Sequence, residues 1–109
     1  MAESLLECKG FNAFDLRVRF SNWWNFGYCN AFGNDEDRPD KRSVGLGGNI
    51  SLSFSEFQKK KSEYTTSGDL NTSGNGSVMR NAAIPVFYHR NMEKALEFSR
   101  KQSKTTHQG

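Results

Sequence analysis

Leu70-Asn71-Thr72-Ser73-Gly74-Asn75-Gly76-Ser77-Val78-Met79-Arg80-Asn81-Ala82-Ala83-Ile84-Pro85-Val86-Phe87-Tyr88 is the stretch around which the chain is organised. A polar, glycine-rich turn runs directly into an apolar segment. Gly74 and Gly76 flank Asn75, so the backbone there can take a positive φ without a Cβ penalty. Ser77 is placed to cap a helix by accepting from an early backbone N–H. Met79, Ala82, Ala83, Val86 and Phe87 then recur at the spacing of a helix with one buried stripe. Pro85 removes one N–H and frees the carbonyl of Asn81, which predicts a kink. The start of a helix carries N–H groups with no intrahelical acceptor, and on a loop with little side-chain bulk they suit an anion such as a phosphate. The loop is not a Walker A motif, because no Lys-Ser or Lys-Thr follows its glycines. Arg80 lies a turn into the helix, placed either for a phosphate or for a structural ion pair.

Working outward, Asn91 is a helix cap, and a last helix is expected over Met92 to Gln102 with Met92, Ala95, Leu96 and Ser99 inward. Glu97 and Lys101 form an outer i, i+4 pair. Upstream, Gly45-Leu46-Gly47-Gly48-Asn49 precedes a helix from about Ile50 to Lys61, with Ile50, Phe54 and Phe57 as its apolar stripe. Ser53 and Glu56 have capping-box spacing. The glycines do not make a dinucleotide fingerprint, since Ile50 stands where G-x-G-x-x-G needs glycine and no βαβ context surrounds it. Lys59, Lys60 and Lys61 suit the negative end of that helix.

At the other end of the chain, Ala2 to Cys8 reads as a short helix. Asn12 caps a longer one, with Asp15 in the capping-box position and Ala13, Leu16, Phe20, Trp23 and Trp24 on one face. The two tryptophans read as core rather than as a base-stacking platform. Asp15 and Arg19 pair outside, and Gly27 is a natural stop. Tyr28 to Val44 is a long connection. Its acidic run, residues 34–40, lacks EF-hand spacing and has Arg38 at its centre, so it reads as a surface loop rather than a cation site. No segment alternates as a strand. The expectation is an all-α fold of four or five helices, part of an orthogonal helical domain.

Composition narrows the function. One domain at most fits in 109 residues. Hydrophobic residues are 35% of the chain and the mean hydropathy is -0.77. The core is therefore expected to be small, carried by nine Phe, two Trp and three Tyr. The net charge is +3 but uneven: through Phe57 there are six basic and eight acidic residues, and from Gln58 onward nine basic and four acidic. That asymmetry reads as a solvated helical surface. A nucleic-acid partner would need salt-sensitive binding, and no motif supports one. Cys8 and Cys29 make no CxxC pair or zinc cluster and read as reduced thiols, with a disulfide left open by the sequence. The N-terminus lacks a signal peptide's basic and long apolar regions, and no stretch is long enough to span a membrane, so the cytoplasm is the expected compartment.

Ser73-Gly74-Asn75-Gly76-Ser77-Val78-Met79-Arg80 followed by an apolar helix resembles the signature loop of the ADP-ribosylglycohydrolase family. The resemblance runs in order through Ala2-Glu3-Ser4-Leu5-Leu6-Glu7, the Trp-bearing helix, the Gly45-Leu46-Gly47-Gly48 turn, the loop itself and Thr105-Thr106-His107. It implies that Gly47, Gly48, Ser73, Gly74, Asn75, Gly76, Met79, Arg80 and His107 lie near ADP-ribose. The loop N–H groups and Asn75 would hold phosphate or ribose, and His107 the distal ribose. It also implies hydrolysis of the bond between ADP-ribose and a modified protein side chain, assisted by two magnesium ions. In the family those ions sit between an upstream Thr-Asp-Asp-Thr with a further upstream acidic residue and a downstream Asp-x-Asp-Thr. None of these motifs occurs here; the only Asp-x-Asp, Asp35 and Asp37, is followed by Arg38 in a different segment.

The chain therefore resembles an internal segment of a family member. It is expected to carry no magnesium site, catalytic residue or cofactor of its own and to be inactive alone. The partner implied is ADP-ribose or an ADP-ribosylated protein. Two alternatives stand beside this one: a non-catalytic module that uses the Gly74–Gly76 loop to hold a phosphate-bearing ligand, and a structural helical module whose glycine loops are only turns.

Overall fold

The computed structural model describes residues 1–72 and 74–108. Ser73, one of the expected site residues, lies outside them. The chain is all-α, with no strand among the described residues. Its helices are α1 (Ala2–Glu7), α2 (Ala13–Phe26), α3 (Gly48–Lys59), α4 (Gly76–Met79), α5 (Ala83–Phe87) and α6 (Met92–Ser103), with a 3₁₀ turn at Ala31–Gly33. None of these helices is long and apolar enough to cross a membrane.

Local chemistry sets both ends of α2 and the start of α6. Asn12 accepts from the Asp15 N–H at the start of α2, and Asn91 accepts from the Lys94 N–H at the start of α6. Gly27 closes α2 in the left-handed region, at φ 76°. A Cβ there would also lie 2.5 Å from the Gly33 Cα, so only glycine fits. The acidic run folds around its own arginine: Arg38 lies 3.9 Å over the Phe32 ring and donates to the carbonyls of Asp40 and Arg42.

α5 sits centrally, against α1 on one side and α6 on the other, with Ile84 fully buried between them. α1 packs on α2, where Arg19 donates to Asp15 at 2.6 Å and to Glu7 at 2.6 Å. The interior is thin. The radius of gyration is 14.2 Å, against about 13 Å for a packed chain near this length. Leu5, Ala13, Leu16, Phe54, Phe57 and Ile84 are the buried apolar residues described, against ten buried polar or charged ones. Buried polar groups are tolerated only when hydrogen-bonded, so much of this interior is held by directed bonds rather than by apolar area.

Four expectations need correction. The segment after the glycine loop is not one helix with a proline kink. It turns at Arg80–Ala82, where Asn81 N–H bonds the Val78 carbonyl and Ile84 N–H bonds the Asn81 carbonyl. Arg80 is drawn instead toward α6, where it bonds Gln102 and Thr105. Pro85 then falls in the first turn of α5, where its missing N–H costs nothing. The turn brings Ile84 inside and leaves Met79 and Val86 exposed. On α6, Met92 and Leu96 are also exposed. The inward face is set by Phe98, whose ring stacks on Phe11 at 5.1 Å and meets Tyr88 at 4.9 Å. Finally, Ser77 does not cap α4; its hydroxyl bonds Ser103 at 2.7 Å and ties the helix to α6. α3 begins at Gly48, two residues before the expected Ile50.

Candidate functional site

A cleft of about 390 Å³ opens between the start of α3 and the glycine loop. One wall is Gly47, Gly48, Asn49 and Ile50. The other is Thr72, Gly74, Asn75 and Gly76, and His107 lies between them. Six of the nine residues expected at the site are therefore together, although they come from three distant parts of the chain.

The α3 wall presents a helix start with no side-chain cap. The first turn forms normally, with Ser51 N–H on the Gly47 carbonyl at 2.9 Å. The preceding N–H groups have no intrahelical acceptor and are left for solvent or a ligand. The two walls are joined by a side chain: the Asn49 amide donates to the Thr72 carbonyl. α4 adds a second, very short helix start at Gly76, also without a side-chain cap.

The glycines are informative because the fold does not require them. Gly47, Gly48 and Gly76 lie outside the positive-φ region, so the freedom expected at Gly76 is not used. Space does not demand glycine either. A Cβ on Gly47 or Gly48 would meet nothing within 4 Å, and one on Gly74 or Gly76 would come no closer than 3.5 Å to any neighbour. Gly27, by contrast, is required on both counts. The cleft glycines keep the walls smooth where the protein itself has no need of smoothness.

His107 closes the cleft from the end of α6. Its backbone N–H bonds the Ser103 carbonyl at 2.9 Å, and its ring is buried. Burial, helped by the nearby Arg80 cation, lowers its proton affinity, so the ring is neutral at pH 7. Its Nδ1 lies 2.7 Å from the Thr106 hydroxyl. With Thr106 donating, the ring proton is on Nε2, the nitrogen that faces Gly74 and Gly76. In that tautomer the ring presents a neutral N–H donor to the cleft.

Met79 and Arg80 do not line it. Met79 is 83% exposed. Arg80 runs behind the wall to α6, donating to Gln102 Oε1 at 2.9 Å, to the Gln102 carbonyl at 2.9 Å and to Thr105 Oγ1 at 3.1 Å. Asn49, Ile50, Thr72 and Thr106 are lining or supporting residues that the sequence did not single out as site residues. Asn49 and Thr106 each adjoin an expected site residue, so reading the neighbours of Gly48 and His107 for side-chain donors would have found both.

A family model described as ADP-ribosylglycohydrolase matches residues 1–109. The chain belongs to the ADP-ribosylglycohydrolase family. No curated protein and no solved structure matches it. Magnesium is a hard cation that prefers carboxylate oxygens. The cleft lining of this ADP-ribosylglycohydrolase-family chain contains no Asp or Glu. Among the described residues, no group of three or more His, Cys, Asp or Glu side chains comes together to hold a metal. The residues present do not fit the metal pair that the family resemblance implies.

Proposed function

We propose that the cleft binds ADP-ribose, and that the chain is the ligand-holding part of an enzyme that hydrolyses the bond between ADP-ribose and a modified protein side chain. The observation that carries this reading is that neither backbone conformation nor packing explains Gly47, Gly48 and Gly76 in the cleft walls. A phosphate or ribose approaching the backbone needs that clearance, and the uncapped start of α3 offers N–H groups to receive it. His107 adds a fixed neutral donor from the opposite side, suited to a ribose hydroxyl or a phosphate oxygen.

The carboxylates for the metal-assisted step come from sequence other than these residues. On its own the chain binds and does not cleave. Cys8 and Cys29 are both free and exposed, which supports a reducing, cytoplasmic setting.

The test is a titration with ADP-ribose, with and without magnesium, followed by two-dimensional amide NMR. Shifts concentrated at Gly48, Asn75, Gly76 and His107 are expected, with no release of ADP-ribose from a modified protein. No shift at these residues with millimolar ligand overturns the binding claim. Magnesium-dependent release by the chain alone overturns the claim that it does not cleave.

A further inference from the structure

Arg80 is a half-buried cation with no carboxylate partner among the described residues. Its guanidinium stacks 4.7 Å over the Phe20 ring, and its hydrogen bonds go to two oxygens of Gln102 and one of Thr105, all neutral. No carboxylate lies within ion-pairing distance among the described residues, although four other ion pairs involve Arg17 or Arg19. Burial pulls its pKa down to about 10, so it remains protonated at neutral pH. Placing an unpaired charge in a protein interior is costly, and an anion nearby relieves that cost.

The position of this charge is specific. Gln102, which accepts from Arg80, donates its amide to the Ser77 carbonyl at 2.9 Å, next to Gly76 of the cleft wall. Thr105, the other acceptor, stands two residues before His107. The guanidinium is therefore fastened to the segment that carries His107, and through Gln102 that segment is tied to Ser77 beside Gly76. The cleft lining itself carries no Lys, Arg, Asp or Glu.

We infer that Arg80 is the positive charge of this cleft, attracting the ligand's phosphate groups through the Gly76–His107 wall without touching them. The inference deepens the ADP-ribose reading and rests on it for the ligand's identity, but not for the ligand's charge. Across a wall of low dielectric constant a fixed charge acts more strongly than through water, and the neutral wall leaves it unopposed.

The test compares Arg80→Met, which removes the charge at similar length, with Arg80→Lys, which keeps it. Binding of inorganic pyrophosphate is measured by titration at several salt concentrations, beside uncharged adenosine, and the His107 ring is titrated by NMR without ligand. The wild-type chain is expected to bind pyrophosphate more weakly as salt rises. Arg80→Met should bind it on the order of tenfold more weakly, with a flatter salt dependence, while Arg80→Lys keeps the slope. The His107 pKa should rise in Arg80→Met.

Failure of the wild type to bind pyrophosphate overturns the inference. So does equal pyrophosphate binding by Arg80→Met, an equal loss of adenosine and pyrophosphate, or an unmoved His107. Should Arg80→Met fail to fold, a flat salt dependence in the wild type overturns it as well. Pyrophosphate binding with no ADP-ribose binding would support the charge and refute the ADP-ribose reading, so the two claims fail separately.

Discussion

The molecule fastens two arginines by the same construction, one buried and one half-buried, and for different ends. Arg17 of α2 stacks 4.7 Å over Phe57 and donates to the backbone and hydroxyl oxygens of Ser53 and Ser62 and to the Tyr64 carbonyl. Arg80 stacks 4.7 Å over Phe20 and donates to Gln102 and Thr105. Each fastens a connecting segment to a helix. The difference is the counter-charge: the Glu56 carboxylate stands 4.0 Å from Arg17, and none stands by Arg80. One region is electrostatically closed and behaves as scaffold. The other faces a smooth cleft and keeps its charge uncancelled. In a chain with so few buried apolar residues, polar cores of this kind take over the work of packing, and where one is left incomplete the remainder points to a ligand.

The comparison breaks most visibly at Arg17. Arg17→Met should remove the three bonds that hold residues 62–64 against α2 and the two that give the buried oxygens of Ser53 a donor. A loss of about 3–5 kcal/mol is expected, the range for removing one partner of a buried, hydrogen-bonded charge. Urea denaturation of the two chains measures it, and a loss below about 1 kcal/mol would mean that the Arg17 region is not scaffold.

The counter-charge predicts a pH effect. Burial alone would raise the Glu56 pKa. It is outweighed by the hydroxyls of Thr65 and Thr66, the Thr66 N–H and the Ser67 hydroxyl, which together hold it down at about 2. A carboxyl with a folded-state pKa below its unfolded value stabilises the fold above that unfolded value. The contribution is fully present above about pH 4.5 and is lost as pH falls toward 2. Wild type and Glu56→Gln should therefore differ by about 2 kcal/mol at pH 7 and converge near pH 2. A constant difference across that range, in parallel denaturation curves, would place the effect in packing rather than charge.

The scaffold was more legible in sequence than the polar seams. Asn12, Asn91 and Gly27 announce helix ends through local chemistry that needs no tertiary partner, and all three act as read. The Asp15–Arg19 and Glu97–Lys101 pairs are equally local. Periodicity misled where a long-range polar bond overrode it. Met79, Ala82 and Val86 have helical spacing, but Arg80 turns the chain to reach Gln102, and Ile84 becomes the buried residue. Nothing in the stretch itself reports an acceptor twenty-two residues away. At the cleft, the Gly74–Gly76 loop stood out by its composition, whereas His107 was singled out only by the family resemblance. Asn49 did not stand out, because its role, the bond to Thr72 across the cleft, exists only after folding.

The smallest expected change in stability carries the sharpest distinction between the two regions. Gly48 opens α3 with no positive φ, and a methyl group placed on it meets nothing within 4 Å. Gly48→Ala should therefore be tolerated and even stabilise the helix by a few tenths of a kcal/mol, because alanine loses less backbone entropy on folding. On the ADP-ribose proposal, the same methyl group stands in the space that the ligand would take. Thermal denaturation should show an unchanged or slightly higher midpoint, while titration shows ADP-ribose binding reduced at least tenfold. In the scaffold a glycine such as Gly27 cannot be replaced without strain, so stability and shape fall together. At Gly48 they should separate. If Gly48→Ala binds as the wild type does, the open space at the start of α3 is not ligand space, and the cleft glycines return to being ordinary turn residues.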